Sequence, residues 1–249
     1  MEISPTEWFG GAKRLLFVHA HPDDESIFTG GVIAGLTATG REVAVLTLTR
    51  GERGEVVAGP LSELEGTGEL ATQRSRELAA ALEALGVTHS AFLGSAPART
   101  VGQTERRYED SGMQWGAGGQ AVAAADVGAA ALTRAEVAEA LADMIAYADA
   151  FGADALVSYD ENGGYGHPDH VFAHRLARSV AIGLDIPFWE ATNSGQDAET
   201  YDVSEWLETK KLALAAHATQ LRVSGSTLEM SGGQVHEIAP RESFALVQQ

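Results

Sequence analysis

Residues 14–26 read Arg14-Leu-Leu-Phe-Val-His-Ala-His-Pro-Asp-Asp-Glu-Ser26, and the fold is decided by how this stretch is read. Its first half, 14–19, is a short run of bulky apolar residues without alternation, the pattern of a strand buried on both faces. At His21 the chain turns sharply polar, and a helical pattern then runs from 25 to about 39, ending near Gly40. A buried strand thus feeds a helix through a turn crowded with acidic and imidazole groups.

The same alternation repeats outward from this point. Residues 42–49 (EVAVLTLT) read as a second buried strand, and after polar, glycine-containing sequence an amphipathic helix spans 69–85 and stops at Gly86. Residues 90–93 form a weak third strand. The stretch 94–131 is less regular, and its Ala/Gly-rich second half, from 116, predicts a mixture of loop and loose helix. Thr133 reads as an N-cap, with Glu136 completing a capping box for a helix reaching about 151. A fourth strand at 154–159, a helix at 170–183, a fifth strand at 187–192 and a helix at 205–217 follow, whereas 220–249 has no clear pattern. Strands alternating with helices predict an α/β fold, a Rossmann-like doubly wound and mainly parallel sheet with helices on both faces. No repeat or linker divides the chain, so residues 1–249 are expected to form one domain.

Bulk composition narrows the function. With 45% hydrophobic residues among 249, a sizeable core is available. Seventeen basic against 35 acidic residues give a net charge of −18, which opposes nucleic-acid and anionic membrane partners and otherwise reads as a contribution to solubility. The absence of cysteine excludes disulfides, thiolate catalysis and Cys-ligated zinc. The apolar run 15–18 is too short for a signal-peptide core or a membrane span, so a cytoplasmic location is expected. Oligomeric state is left open.

The chemistry gathers in two clusters, residues 21–25 (HPDDE) after the first strand and 165–170 (YGHPDH) after the fourth. In a sheet of order 3-2-1-4-5 these strands are neighbours, and ligands bind in the crevice beyond their carboxyl ends. His21, Asp24 and His170 offer two imidazoles and a carboxylate, the ligand set of a catalytic zinc with an open position for water. The same set also suits Fe2+. Asp23, beside a ligand, is a candidate base, and His167, three residues before a ligand, a candidate acid.

The runs LLFVHAHPDDES (15–26) and GGYGHPDH (163–170) closely resemble the LmbE/PIG-L family of zinc-dependent N-acetylglucosaminyl deacetylases. Further matches at RSREL (74–78), DSGM (110–113) and AHATQ (216–220) spread the resemblance over about 14–220 and look most like its actinobacterial, mycothiol-pathway branch. The resemblance implies that His21, Asp24 and His170 bind zinc, and that Asp23 is the base that deprotonates water. It implies that His167 supports the tetrahedral intermediate and protonates the leaving amine, with Asp169 holding its ring. It further implies that Tyr165 is a mobile tyrosine stabilising the oxyanion, and that Arg74 and Asp110 grip sugar hydroxyls. The expected substrate is N-acetylglucosaminyl-inositol or a related N-acetylglucosamine conjugate.

Other readings of the same residues differ in class. A dinucleotide enzyme would need G-x-G-x-x-G after strand one, where this chain has His-Ala-His-Pro-Asp-Asp. A serine hydrolase would need G-x-S-x-G, which is absent. A non-haem iron oxygenase shares the ligand set but needs no base and acid beside it. An amidase acting on another amide, of the mycothiol S-conjugate type, and a non-catalytic metal- or sugar-binding protein are the remaining alternatives. His19, His89, His174 and His236 read as structural. Glu25 reads as a first-turn helix residue or an acceptor behind the ligands, and His217 is divided between core and site.

Overall fold

The computed structural model describes residues 3–116, 121–192 and 198–248. In chain order its elements begin with β1 (Arg14–His19), α1 (Asp24–Phe28), α2 (Gly30–Ala38), β2 (Glu42–Thr47), α3 (Glu69–Ala84) and β3 (His89–Phe92). A small hairpin, β4 (Met113–Trp115) with β5 (Ala121–Ala123), precedes α4 (Val137–Phe151), β6 (Ala155–Tyr159), the single turn α5 (Gly163–Gly166) and α6 (Pro168–Leu184). The chain continues through β7 (Phe188–Thr192), β8 (Ala198–Asp202), α7 (Leu207–Ala216), β9 (Leu221–Ser224), β10 (Thr227–Met230), β11 (Val235–Glu237) and β12 (Arg241–Val247).

The main sheet has the order β3-β2-β1-β6-β7-β12-β8. Its first five strands are parallel, in the 3-2-1-4-5 order that sets the two clusters side by side, while β12 runs antiparallel to both β7 and β8. Alternate residues of β1 enter two separate cores. Leu16 and Val18 pack with Met144 and Tyr147 of α4 and Ala173 and Leu176 of α6. Leu15 and Phe17 pack with Ile33 of α2, Leu82 of α3 and Ala213 of α7. The uninterrupted apolar reading of β1 therefore has a direct cause: both faces are covered. Among the described residues no helix is long and apolar enough to cross a membrane.

Three local expectations are corrected. The helix read over 25–39 is broken at Thr29 (φ −137°, ψ 6°), whose hydroxyl donates to Glu25 O at 3.0 Å and accepts from His19 Nε2 at 3.0 Å. The break gives α2 a fresh N-terminus, and the carboxylate of Glu242 accepts the N–H groups of Gly31 and Val32 at 2.8 and 2.9 Å while pairing with buried Lys210 at 2.7 Å. The capping box at Thr133 does not form. That hydroxyl lies 2.9 Å from Ser111 Oγ, inside a short 3-10 turn, and α4 starts behind Glu136 without a side-chain cap. No loose helix occurs among the described residues of 116–131, where β5 pairs with β4; residues 117–120 lie outside the described residues. The unpatterned segment after Gln220 forms the antiparallel sheet β9-β10-β11 and then supplies β12.

Candidate active site

Because β1 and β6 pair in parallel, the turn after His19 and the turn after Tyr159 leave the same edge of the sheet side by side. The first carries His21, Asp23 and Asp24 into α1; the second carries Tyr165 in α5 and His167, Asp169 and His170 at the start of α6. Pro168 occupies the first turn of α6, where its missing N–H costs nothing, and His167 is the N-cap. Residues 110–112 close a third side.

His21 Nδ1, His170 Nε2 and one carboxylate oxygen of Asp24 form a triangle 3.3 Å on each edge. Tetrahedral coordination with bonds of about 2.0–2.1 Å demands ligand atoms about 3.3–3.4 Å apart. The outer nitrogens fix the tautomers. His21 Nε2–H donates to Asp169 Oδ2 at 3.2 Å and His170 Nδ1–H to Gly163 O at 3.2 Å, so both inward nitrogens present lone pairs. Two imidazole nitrogens and a carboxylate oxygen turned on one common point are a donor set that a cation would bridge. The site therefore fits a metal, and the donor set suits zinc. His167 adds a further imidazole, its ligating atom lying within 4.8 Å of those of His21 and His170.

Asp23 is buried at φ 107°, a backbone conformation foreign to a residue with a side chain. Burial, with Asp24 adding and Arg74 opposing, pushes its carboxyl up to about 6, close to the range suited to a base at neutral pH. Burial above all pushes His167 down, so its ring is neutral; Nδ1 accepts the Asp169 N–H at 3.2 Å and leaves Nε2 protonated. Here the expected partnership with Asp169 takes a different form. The backbone of Asp169 holds His167, while its carboxylate serves His21 and accepts the Ser111 N–H at 2.9 Å. One oxygen of a carboxylate at the first turn of α6 reaches across to β1's turn because the two strands adjoin.

Arg74 and Asp110, the residues expected to grip sugar hydroxyls, both lie buried at the site among protein partners. Arg74 is buried, its guanidinium donating to Pro22 O at 2.5 Å and Gly51 O at 2.8 Å and lying 3.3 Å from Asp23 Oδ2. Gly51, at φ 64°, leaves the space a Cβ would take from that guanidinium. Asp110 is buried with Oδ1 accepting the Gly112 N–H at 2.8 Å and lying 3.6 Å from His21 Nε2. Arg74→Met is accordingly expected to destabilise the protein by about 3–5 kcal/mol, because Asp23 is left buried without its partner. Thermal unfolding checks this, and a raised KM at an unchanged midpoint would restore Arg74 to the sugar.

Tyr165 is 49% exposed, its ring centroid 6.1 Å from that of His167 and 5.2 Å from that of His170. It stands between Gly164 (φ 70°) and Gly166 (φ 94°), positions that permit large backbone changes. Of the histidines read as structural, His19 bonds Thr29, and His174 Nε2 meets Glu190 at 2.8 Å. His217 joins the site's periphery, its Nε2 donating to Glu25 at 2.8 Å. Tyr159 was missed. Its hydroxyl donates to Asp24 at 2.7 Å and accepts the Ala20 N–H at 2.7 Å, and its ring stacks on His170 at 4.1 Å and 7°. Its position as the last residue of β6 was the available signal, the same one that marks the two clusters.

Comparison with known proteins agrees with this geometry. The profile of the GlcNAc-PI de-N-acetylase (PIG-L) family matches residues 16–181. The 1D-myo-inositol 2-acetamido-2-deoxy-alpha-D-glucopyranoside deacetylase of Kineococcus radiotolerans is 43% identical, over 99% of this chain and 80% of its own. The enzyme of the same name from Actinosynnema mirum is 35% identical over 94% of this chain and 91% of its own. Among solved structures, N,N'-diacetylchitobiose deacetylase from Pyrococcus horikoshii shares the fold with a TM-score of 0.59 at 22% identity, covering 85% of this chain and 72% of the other. The polypeptide belongs to the PIG-L family of de-N-acetylases.

Proposed function

We propose that this deacetylase hydrolyses the N-acetyl group of N-acetylglucosaminyl-inositol with zinc as its metal. The observation that carries the reading is the 3.3 Å triangle of His21, Asp24 and His170 with Asp23 beside it. Names borne by the relatives over nearly the whole chain support the substrate. Zinc held by the three residues would polarise the amide carbonyl and lower the pKa of water from about 15.7 towards about 7.

The remaining work falls to side chains of this chain. Asp23 takes the proton from the attacking water, and Arg74 keeps the carboxylate directed. His167, neutral, donates Nε2–H to the tetrahedral adduct, and Tyr165 donates its hydroxyl to the oxyanion from the mouth of the site. Of the two roles implied for His167, support of the adduct suits a ring held neutral. Protonation of the leaving amine, the other role, would draw on the same Nε2–H. As the C–N bond breaks, His167 gives its Nε2 proton to the nitrogen and is restored by the proton that Asp23 took from water, giving acetate and a free amine. Asp169 and Gly163 hold the His21 and His170 rings throughout.

The test is free-amine release by chelator-treated protein restored with zinc. Substrates are N-acetylglucosaminyl-inositol, N-acetylglucosamine and an acylated cysteine conjugate. Zinc-dependent release from the inositol sugar alone is expected. Release from another substrate only would keep the mechanism and remove the proposed substrate, and no release would remove both.

A further inference from the structure

We infer that the buried Glu25–His217 pair is a positioning device for Asp23, holding its backbone in the conformation from which the carboxylate works. The inference rests on the reading of Asp23 as the base. At φ 107° and ψ −32°, Asp23 occupies a region that a non-glycine residue enters only under constraint. The constraint is visible. Glu25 is fully buried, and its Oε2 reaches back to accept the N–H of Asp23, the N-cap of α1, at 3.0 Å. The amides of Ser26 and Ile27 bond Asp23 O at 3.0 and 2.9 Å, so both peptide groups flanking the Asp23 Cα are tied.

Glu25 is fixed in turn by partners far along the chain. Oε1 accepts from Ser26 Oγ at 2.5 Å and from His217 Nε2 at 2.8 Å. His217 follows α7 and is itself buried, with its own N–H on Leu214 O at 3.1 Å. The side chain of Asp23 is met from the other direction by Arg74, 3.3 Å away. Backbone and carboxylate are thus clamped separately, by Glu25–His217 and by Arg74. Neither Glu25 nor His217 belongs to the 3.3 Å triangle, so weakening this clamp leaves the metal ligands in place.

A double-mutant cycle tests the assignment with Glu25→Gln, Asp23→Asn and the double variant, measuring kcat, KM, zinc per protein and thermal midpoint. Glu25→Gln is expected to lower kcat about 10- to 100-fold, the effect of a misplaced reacting group. KM should stay within about twofold, and zinc stoichiometry should match the wild type. In the Asp23→Asn background the same substitution should lower kcat no further, because the group it positions is gone. An equal loss in both backgrounds, or a loss explained by missing zinc or unfolded protein, would overturn the positioning role. An unchanged kcat for Asp23→Asn alone would instead overturn the base assignment. If Glu25→Gln does not fold, His217→Gln enters the cycle under the same criterion, since Glu25 then keeps its bonds to Asp23 and Ser26.

Discussion

Asp23→Ala retains its metal and hydrolyses the amide roughly 10²–10⁴-fold more slowly than the wild type, the expected cost of removing a general base. The separation of the two properties follows from geometry. Asp23 is adjacent in sequence to Asp24, yet the three atoms of the 3.3 Å triangle belong to His21, Asp24 and His170, and Asp23 is engaged with Arg74 instead. Removing its carboxylate leaves the ligands and their hydrogen bonds to Asp169 and Gly163 untouched. Zinc content by elemental analysis and kcat under saturating substrate decide the matter. Wild-type turnover in this variant would remove Asp23 from the reaction.

His170→Ala should behave oppositely, losing metal and activity together. Its Nε2 is one corner of the triangle, and its ring is sandwiched against Tyr159 with Nδ1 held by Gly163. Without it two ligands remain, too few for the tetrahedral site. Loss of metal assistance, worth several kcal/mol, predicts a fall in rate of roughly 10³-fold or more. Titration of the apoprotein with zinc supplies the second measurement, where affinity should collapse. Stoichiometric tight zinc in His170→Ala would show that the metal is held elsewhere, with His21, Asp110 and Asp169 as the nearest other cluster.

The legible part of this molecule was the part dictated by continuous local pattern. Strands β1, β2 and β6 are buried on both faces and read as apolar runs, with β1 and β6 each ending where HPDDE and HPDH begin to gather. The C-terminal strands were illegible for the converse reason. Leu221–Ser224, Thr227–Met230 and Val235–Glu237 are three or four residues long, and only Leu221 and Leu228 among them are buried, too few to write a pattern. Side-chain destinations were the other gap. The pattern located Asp169 and Arg74, but which neighbour each meets depends on elements distant in sequence. Asp169 serves His21, 148 residues away, and Arg74 holds Pro22, 52 residues away. Thr133 fails as a helix signal because its hydroxyl has a tertiary partner in Ser111 that outweighs its local preference.

The place of β12 in the sheet carries a consequence for the order of assembly on the ribosome. It lies between β7 and β8, so β8, synthesised earlier, has no strand to join until residues 241–247 have emerged. The carboxylate of Glu242 that secures the start of α2 arrives at the same moment. Strands β1, β2, β3, β6 and β7, and with them His21, Asp24 and His170, are available well before that point. A nascent chain stalled before Arg241 would therefore carry its ligand triad on a sheet with the free edge of β7 exposed, open to pairing with another chain.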